Sequence, residues 1–179
     1  MDDTGVAGNQ MRNAEFAQEL EPFLVKRKYL LMTGAAVIAI PLALFGLIQL
    51  VPTGVSYTNP PVVAEPKWDS AQTRALAQRA CFDCHSNETT WPWYSHIAPV
   101  SWLVAHDVVE GRARLNFSTW GQPTSGEGGR NGPVRVNEVV RVVQDGSMPP
   151  AIYYPTHPTA HLTPAEQQQL VQGFLNSLQ

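Results

Sequence analysis

Cys81-Phe82-Asp83-Cys84-His85 sets two thiols and an imidazole within five consecutive residues, and these are the only cysteines in the chain. Three chemistries use such a spacing. Thiols three positions apart can each add to a vinyl group of a haem, with the adjoining imidazole placed to ligate the iron. Zinc would need two more ligands, drawn from His96, His106, His157 and His161, none of which forms a second close-spaced pair. A redox dithiol expects a preceding strand and a thioredoxin-like βαβ pattern, which the sequence lacks. No other cysteine competes for a disulfide. The motif therefore reads as the attachment site of one covalent haem c, held through Cys81 and Cys84 and ligated by His85.

Ser147-Met148-Pro149-Pro150 offers a second iron ligand. A thioether is soft and favours ferrous iron, so His/Met ligation raises the potential and fills the sixth position. Prolines after the methionine stiffen its loop. Met148 is the only methionine beyond residue 66, and it is the expected partner of His85 at the metal; His96, His106, His157 and His161 are the alternatives. Trp91, Trp93 and Tyr94 are candidate haem-pocket residues, because flat side chains exclude water while indole N–H and phenol O–H groups can bond propionates. Core aromatics under a loop would look the same. Arg112 and Arg114 suit either propionate pairing or a solvated helix face, and Asn87, Glu88 and Thr89 shape the turn after His85.

The elements that must position these groups are helices. Asp69 or Ser70 caps a helix through Ala71, Leu76 and Ala80 that runs straight into the motif. A second helix covers Val100 to about Leu115, with Trp102, Leu103, His106, Val109 and Ala113 along one face. Glycines at 121, 126, 128, 129 and 132 mark Asn116 to Pro133 as a long loop. A third helix is expected from Val134 to Gln144, with Val136, Val139, Val140 and Val143 inward and Gly146 at its end. Thr163-Pro164-Ala165-Glu166 is a capping box with proline at the first helical position. It opens a closing helix with an apolar stripe of Leu170, Val171, Phe174, Leu175 and Leu178. No strand pattern emerges.

Upstream, Tyr29 to Val51 is an uncharged run with only Thr33 and Gln49 clearly polar. At about 1.5 Å per residue it spans the roughly 30 Å hydrocarbon core of a bilayer. Pro41 sits mid-span, where a kink is expected. Gly34, Ala35, Ala36 and Ala39 would let another helix approach, or else face lipid. Lys26, Arg27 and Lys28 precede the run, so the positive-inside rule leaves residues 1–28 in the cytoplasm and sends residue 52 onward across the inner membrane into the periplasm. The competing reading, a cleaved signal peptide, fits poorly: the run is too long, and the cleavage-like Val62-Val63-Ala64 lies well past its end. Four regions result. Residues 1–28 form a tail, with Met11 to Val25 able to make a short helix; 29–51 form a transmembrane helix; 52–66, with Pro52, Pro60, Pro61 and Pro66, form a stiff extended linker; and 67–179 form one small domain.

The fold class expected is all-α, a class I cytochrome c-like haem domain tethered to a single N-terminal transmembrane helix. A helix, the Cys-X-X-Cys-His motif, helices and loops, a Met-Pro turn and a closing helix follow the order of small class I cytochromes c. The blocks CFDCHSNETTWPWYSHIAPVSWLVAHDVVEGRARLNFSTW, SMPP and HPTAHLTPAEQQQLVQGF resemble the bacterial haem-binding-domain family of monohaem c-type cytochromes over roughly Ala71 to Leu178. The resemblance implies haem at Cys81, Cys84 and His85, with Met148 as distal ligand. The expected function is one-electron transfer by a carrier rather than an enzyme, free on its anchor or built into an integral membrane electron-transfer complex. The alternative is a haem-based sensor or peroxidase with an open distal site, using His96 or His106 as acid-base residue. A formal net charge of −3 and the lack of a basic patch argue against nucleic acid as a partner, and no phosphate-binding loop, nucleophile elbow or metalloprotease motif is present.

Overall fold

The computed structural model describes residues 4–122 and 135–178. The chain divides into two units, one ending at Val51 and the other beginning at Pro52, and each is described by itself.

The first unit is a single helix, α1, Thr4–Ile48. A boundary expected between the tail and the membrane segment at Tyr29 is not a break, because the helix is continuous through Lys26-Arg27-Lys28 and through Pro22 and Pro41. Lysine and arginine are good helix formers, so a charge cluster can mark a membrane surface without ending a helix. Gln49, Leu50 and Val51 close the end by donating N–H bonds to carbonyls three residues back. Glu21–Ile48 is long and apolar enough to cross a membrane, with a mean hydropathy of 2.3 over an 18-residue window. The two clearly polar residues of the uncharged run Tyr29–Val51 satisfy themselves. Thr33 Oγ1 donates to Tyr29 O at 2.7 Å, and Gln49 Nε2 donates to Phe45 O at 3.0 Å, which lowers the cost of carrying them into hydrocarbon.

The second unit is helical, and among the described residues it has no strand. It contains α2 (Ala71–Ala80), α3 (Phe82–His85), α4 (Val100–Arg114), α5 (Val136–Gln144) and α6 (Pro164–Ser177), with single 3-10 turns at Trp93–His96 and Pro158–Ala160. The caps are those expected. Ser70 Oγ accepts from Thr73 N at 3.1 Å; Thr163 Oγ1 accepts from Glu166 N at 3.2 Å while Glu166 Oε2 accepts from Thr163 N at 2.8 Å. The Thr163 backbone bond and Arg79 hold the Glu166 carboxyl down to about 2. α2 and α6 cross where Gly173 meets Thr73, so closely that a Cβ on Gly173 would overlap the threonine side chain. Around this crossing lie Leu76, Phe82, Phe117, Val140, Val143, Leu170 and Phe174, all buried. Phe117 sits between Phe82 and Phe174, with ring centroids at 5.4 and 5.8 Å. Burying such a ring contributes roughly 1.5–3 kcal/mol.

Three expectations change. The inward face of α4 is Ser101, Ala105, Val108 and Gly111; Leu103, His106 and Val109 are exposed. Close packing selects the small face, whereas hydrophobic periodicity selects the bulky one. Val136, Val139, Val140 and Val143 do pack on the core, but the expected start at Val134 and most of the Asn116–Pro133 loop lie outside the described residues. The described part of that loop is no solvent loop, because Phe117 and Ser118 are fully buried. Finally, residues 52–66 are extended, as their prolines dictate, yet they are strapped onto the domain. Tyr57 OH donates to Ser95 O at 2.6 Å, Asn59 Nδ2 to Thr89 O at 2.8 Å, and Asn87 Nδ2 to Pro61 O at 2.8 Å. Val63 N donates to Ser118 O at 2.8 Å, and Trp120 N to Ala64 O at 2.9 Å. Partners this distant in sequence leave no local signal.

At the end of the strap, Glu65 receives Arg74 as a fork, with Nε to Oε2 and Nη2 to Oε1 both at 2.7 Å, and Trp68 Nε1 also at 2.7 Å. The Arg74 bond, ahead of the opposing effect of burial, holds the Glu65 carboxyl below its usual range. A carboxyl depressed in the folded state stabilises above its unfolded value near 4.3 and loses that contribution as pH falls through its folded value. Glu65→Gln should therefore melt below wild type at pH 7, and thermal melts followed down in pH should show the two curves converging below about pH 4.

Candidate functional site

α2 feeds the motif without a break. Cys81 N donates to Ala77 O at 2.8 Å, and Cys84 N and His85 N then both donate to Cys81 O, at 3.2 and 2.9 Å. The motif is thus one helical turn, on which positions i, i+3 and i+4 share a face. Cys81, Cys84 and His85 occupy those positions. Phe82, pointing elsewhere, is buried in the aromatic core and pins the turn.

His85 is held by α4. Its Nδ1 lies 3.0 Å from Gly111 O and 3.1 Å from Leu115 O. Carbonyls only accept, so Nδ1 carries the proton and Nε2 keeps the lone pair. Burial lowers the His85 pKa against the opposing pull of the two carbonyls, which leaves the imidazole neutral, the form in which it binds metal. Gly111 is required by the same approach, since a Cβ there would run into the Cys84 carbonyl. Neither Gly111 nor its carbonyl stood out in the sequence.

Both thiols are held in the protonated form. Burial, with the neighbouring Cys84, pushes Cys81 up to about 12; burial, with Asp107 and Asp83, pushes Cys84 up to about 12. Redox and zinc-binding cysteines need the thiolate. Among the described residues, moreover, no three His, Cys, Asp or Glu side chains converge as a metal cage.

The remaining candidates are scattered. Met148 stands on its own loop beyond α5, 42% exposed, with its N–H donated to Val142 O at 2.9 Å. Trp93 is 75% exposed and meets Tyr94 edge to face at 5.7 Å. Trp91 is half-buried, and its Nε1–H is buried without a hydrogen-bond partner. His96 leans on Tyr57 at 4.2 Å, His157 stacks on Tyr153 and His161 on Tyr154, each at 3.8 Å. Arg114 points outward, 3.7 Å from Glu110. Arg112 is a fastener, its Nε donating to Ser86 O at 2.7 Å and its Nη2 to Thr89 Oγ1 and Asn59 Oδ1 at 2.9 and 3.1 Å. Asn87, Glu88 and Thr89 build the turn, as expected: Asn87 N donates to Ser118 Oγ, Glu88 pairs with Arg74, and Thr89 Oγ1 donates to Asp83 O. The open groove at the start of α5, along Arg135, Glu138 and Arg141, holds none of these residues.

The family model described as Haem-binding domain matches residues 43–176. The chain belongs to this haem-binding family. The match begins at the end of α1 and takes in the strap, so the family unit reaches well upstream of the blocks around the motif. No curated protein and no solved structure matches the chain.

The residues present fit a haem. Two unpaired thiols and an imidazole with a free Nε2 share one face of a turn, and a buried indole N–H close in sequence to that turn lacks an acceptor, such as a propionate would provide. Sequence reasoning found the thiols, the imidazole and the indole. It missed Gly111, Asp83, Tyr153 and the strap residue Asn59, which no periodicity or motif marks. Gly111→Ala should press α4 off the Cys84 carbonyl and loosen the His85 bonds, so haem-stained gels should show the fraction of protein carrying haem falling severalfold, while Gly34→Ala, within α1 where a Cβ meets nothing within 4 Å, should not lower it.

Proposed function

We propose that this protein is a membrane-anchored monohaem c-type cytochrome that transfers single electrons on the outer face of the inner membrane. The observation that carries the reading is the His85 imidazole, locked through Nδ1 with Nε2 free on the face shared by two unpaired thiols. Cys81 and Cys84 would hold the group through thioethers, His85 and Met148 would ligate its iron, and the Trp91 indole is available to a propionate. A haem iron so ligated supplies one-electron exchange at a potential set by its ligands and their burial.

The protein's own residues keep that exchange low in rearrangement. His85 cannot rotate without breaking two hydrogen bonds, and Phe82 and Arg112 fix the turn on either side of it. Trp93, Ile97, Val100 and Leu103, with Met148 and Ile152, are large apolar side chains left exposed in the second unit. The order of α2, motif, α4, α5, Met-Pro loop and α6 supports the class I cytochrome c-like assignment.

α1 would be the anchor, with Lys26-Arg27-Lys28 on the cytoplasmic side and the haem domain in the periplasm. Residues 49–56 are all that separate Ile48 from Tyr57, the first strap residue bonded to the domain by its side chain. A link shorter than the fifteen-residue tether read from the sequence raises the effective concentration of the domain for a membrane-bound redox partner, an integral electron-transfer complex being the partner favoured. The exposure of Met148 keeps a second reading in play, a sensor or peroxidase with an exchangeable distal position. His96 and His106 are both exposed, which gives that reading no inward acid-base residue.

An optical redox titration separates the two. The electron carrier requires a low-spin spectrum, a ferric sulfur-to-iron band and a positive potential, with the band lost and the potential lowered by 100 mV or more in Met148→Ala, about 2 kcal/mol for one electron. A high-spin wild type would move the sensor or peroxidase reading to the front.

A further inference from the structure

The segment after Met148 is tied back to the attachment motif at one point. Tyr153 OH donates to Asp83 Oδ2 at 2.6 Å, joining residues 70 apart in sequence. Asp83 lies between the two motif cysteines, and its other oxygen accepts from Thr90 N at 2.8 Å. The segment itself is compact. Tyr153 N donates to Pro150 O at 2.9 Å, His157 N donates to Tyr153 O at 3.1 Å, and the His157 ring lies on the Tyr153 ring at 3.8 Å and 6°. His157 Nε2 stands 3.8 Å from the same Asp83 Oδ2. At the other end, Met148 N is bonded to Val142 O, and Ser147 is bonded through its N–H and hydroxyl to Asp145 Oδ1, at 3.0 and 2.6 Å.

We infer that the Tyr153–Asp83 bond is a latch that holds the Met148 loop to the haem-attachment turn, making Tyr153 a positioning residue for the methionine ligand. The inference rests on the reading of Met148 as the second iron ligand. The loop has two fastenings, one at the end of α5 and one at Asp83, with Met148 between them. An O–H···O⁻ bond of this length is charge-assisted and stronger than a neutral one. The bond is part-buried, and burial together with Asp83 raises the Tyr153 phenol above its ordinary value, so it stays a donor at neutral pH. The carboxylate at Asp83 thereby couples the two halves of the site: the turn that carries the thiols also sets how tightly the methionine loop is closed.

Tyr153→Phe keeps the ring and its stack on His157 while removing the hydroxyl, and Asp83→Asn keeps an acceptor without the charge. Both are compared, in the full-length haem-loaded protein, with Thr163→Ala, which weakens the α6 cap away from this loop. The readouts are the ferric sulfur-to-iron band during heating and the rate at which the ferrous protein binds carbon monoxide. Tyr153→Phe should bind carbon monoxide about tenfold faster, with Asp83→Asn between it and wild type, and both should lose the band at a temperature below their global unfolding. Thr163→Ala should lower global unfolding with the binding rate unchanged. Wild-type rates in both latch variants, or an equal acceleration in Thr163→Ala, overturn the latch and leave the His/Met reading standing. A wild type that lacks the band removes Met148 as ligand, and the latch with it.

Discussion

The hydrogen bonds from His85 Nδ1 to the carbonyls of Gly111 and Leu115 are the constraint around which this domain is built. They decide which ring nitrogen is free, and they demand that the C-terminal turn of α4 lie directly against the motif. That approach is possible only because position 111 has no side chain. It explains why α4 turns Ser101, Ala105 and Val108 inward and leaves bulkier residues outside. The aromatic core supplies the counterforce: Phe82, one residue into the motif turn, is clasped by Phe117, Trp68 and the guanidinium of Arg74, so the turn cannot yield when α4 presses on it.

A second layer of bonds fixes everything that leaves the motif. Between them Ser86, Asn87, Glu88 and Thr89 bond to α2, α3, α4, Ser118 and the strap, and Arg112 reaches from α4 through Ser86 and Thr89 to Asn59 of the strap. The strap is therefore a structural part of the domain rather than a leash, in keeping with a family match that starts upstream of it. Under the proposed function an electron-transfer centre would gain from this arrangement, since ligands that do not move between oxidation states add little reorganisation to each transfer.

Much of the design was legible in the sequence where chemistry is local. The motif, the capping box at Thr163, the apolar stripes of α5 and α6 and the membrane-length run in α1 each lie within one element, and each was located from spacing alone. The apolar face of α4 is legible in the sequence, but the face that packs inward is chosen by a close helix-to-turn contact, not by hydrophobicity. The strap was half read: its prolines announced an extended chain, but its partners, Ser95, Thr89, Asn87 and Ser118, lie tens of residues away. Asp83 and Tyr153 were invisible for the same reason. Each looks like a surface polar group until the fold brings them within 2.6 Å.

Covalent attachment of haem through both Cys81 and Cys84 is open to direct measurement. Trypsin cutting after Arg79 and Arg112 releases a peptide that contains both cysteines and His85, and its mass can be read after acid denaturation and alkylation. The peptide should be heavier by one haem, with neither cysteine alkylated. A peptide carrying two alkyl groups and no haem would contradict it.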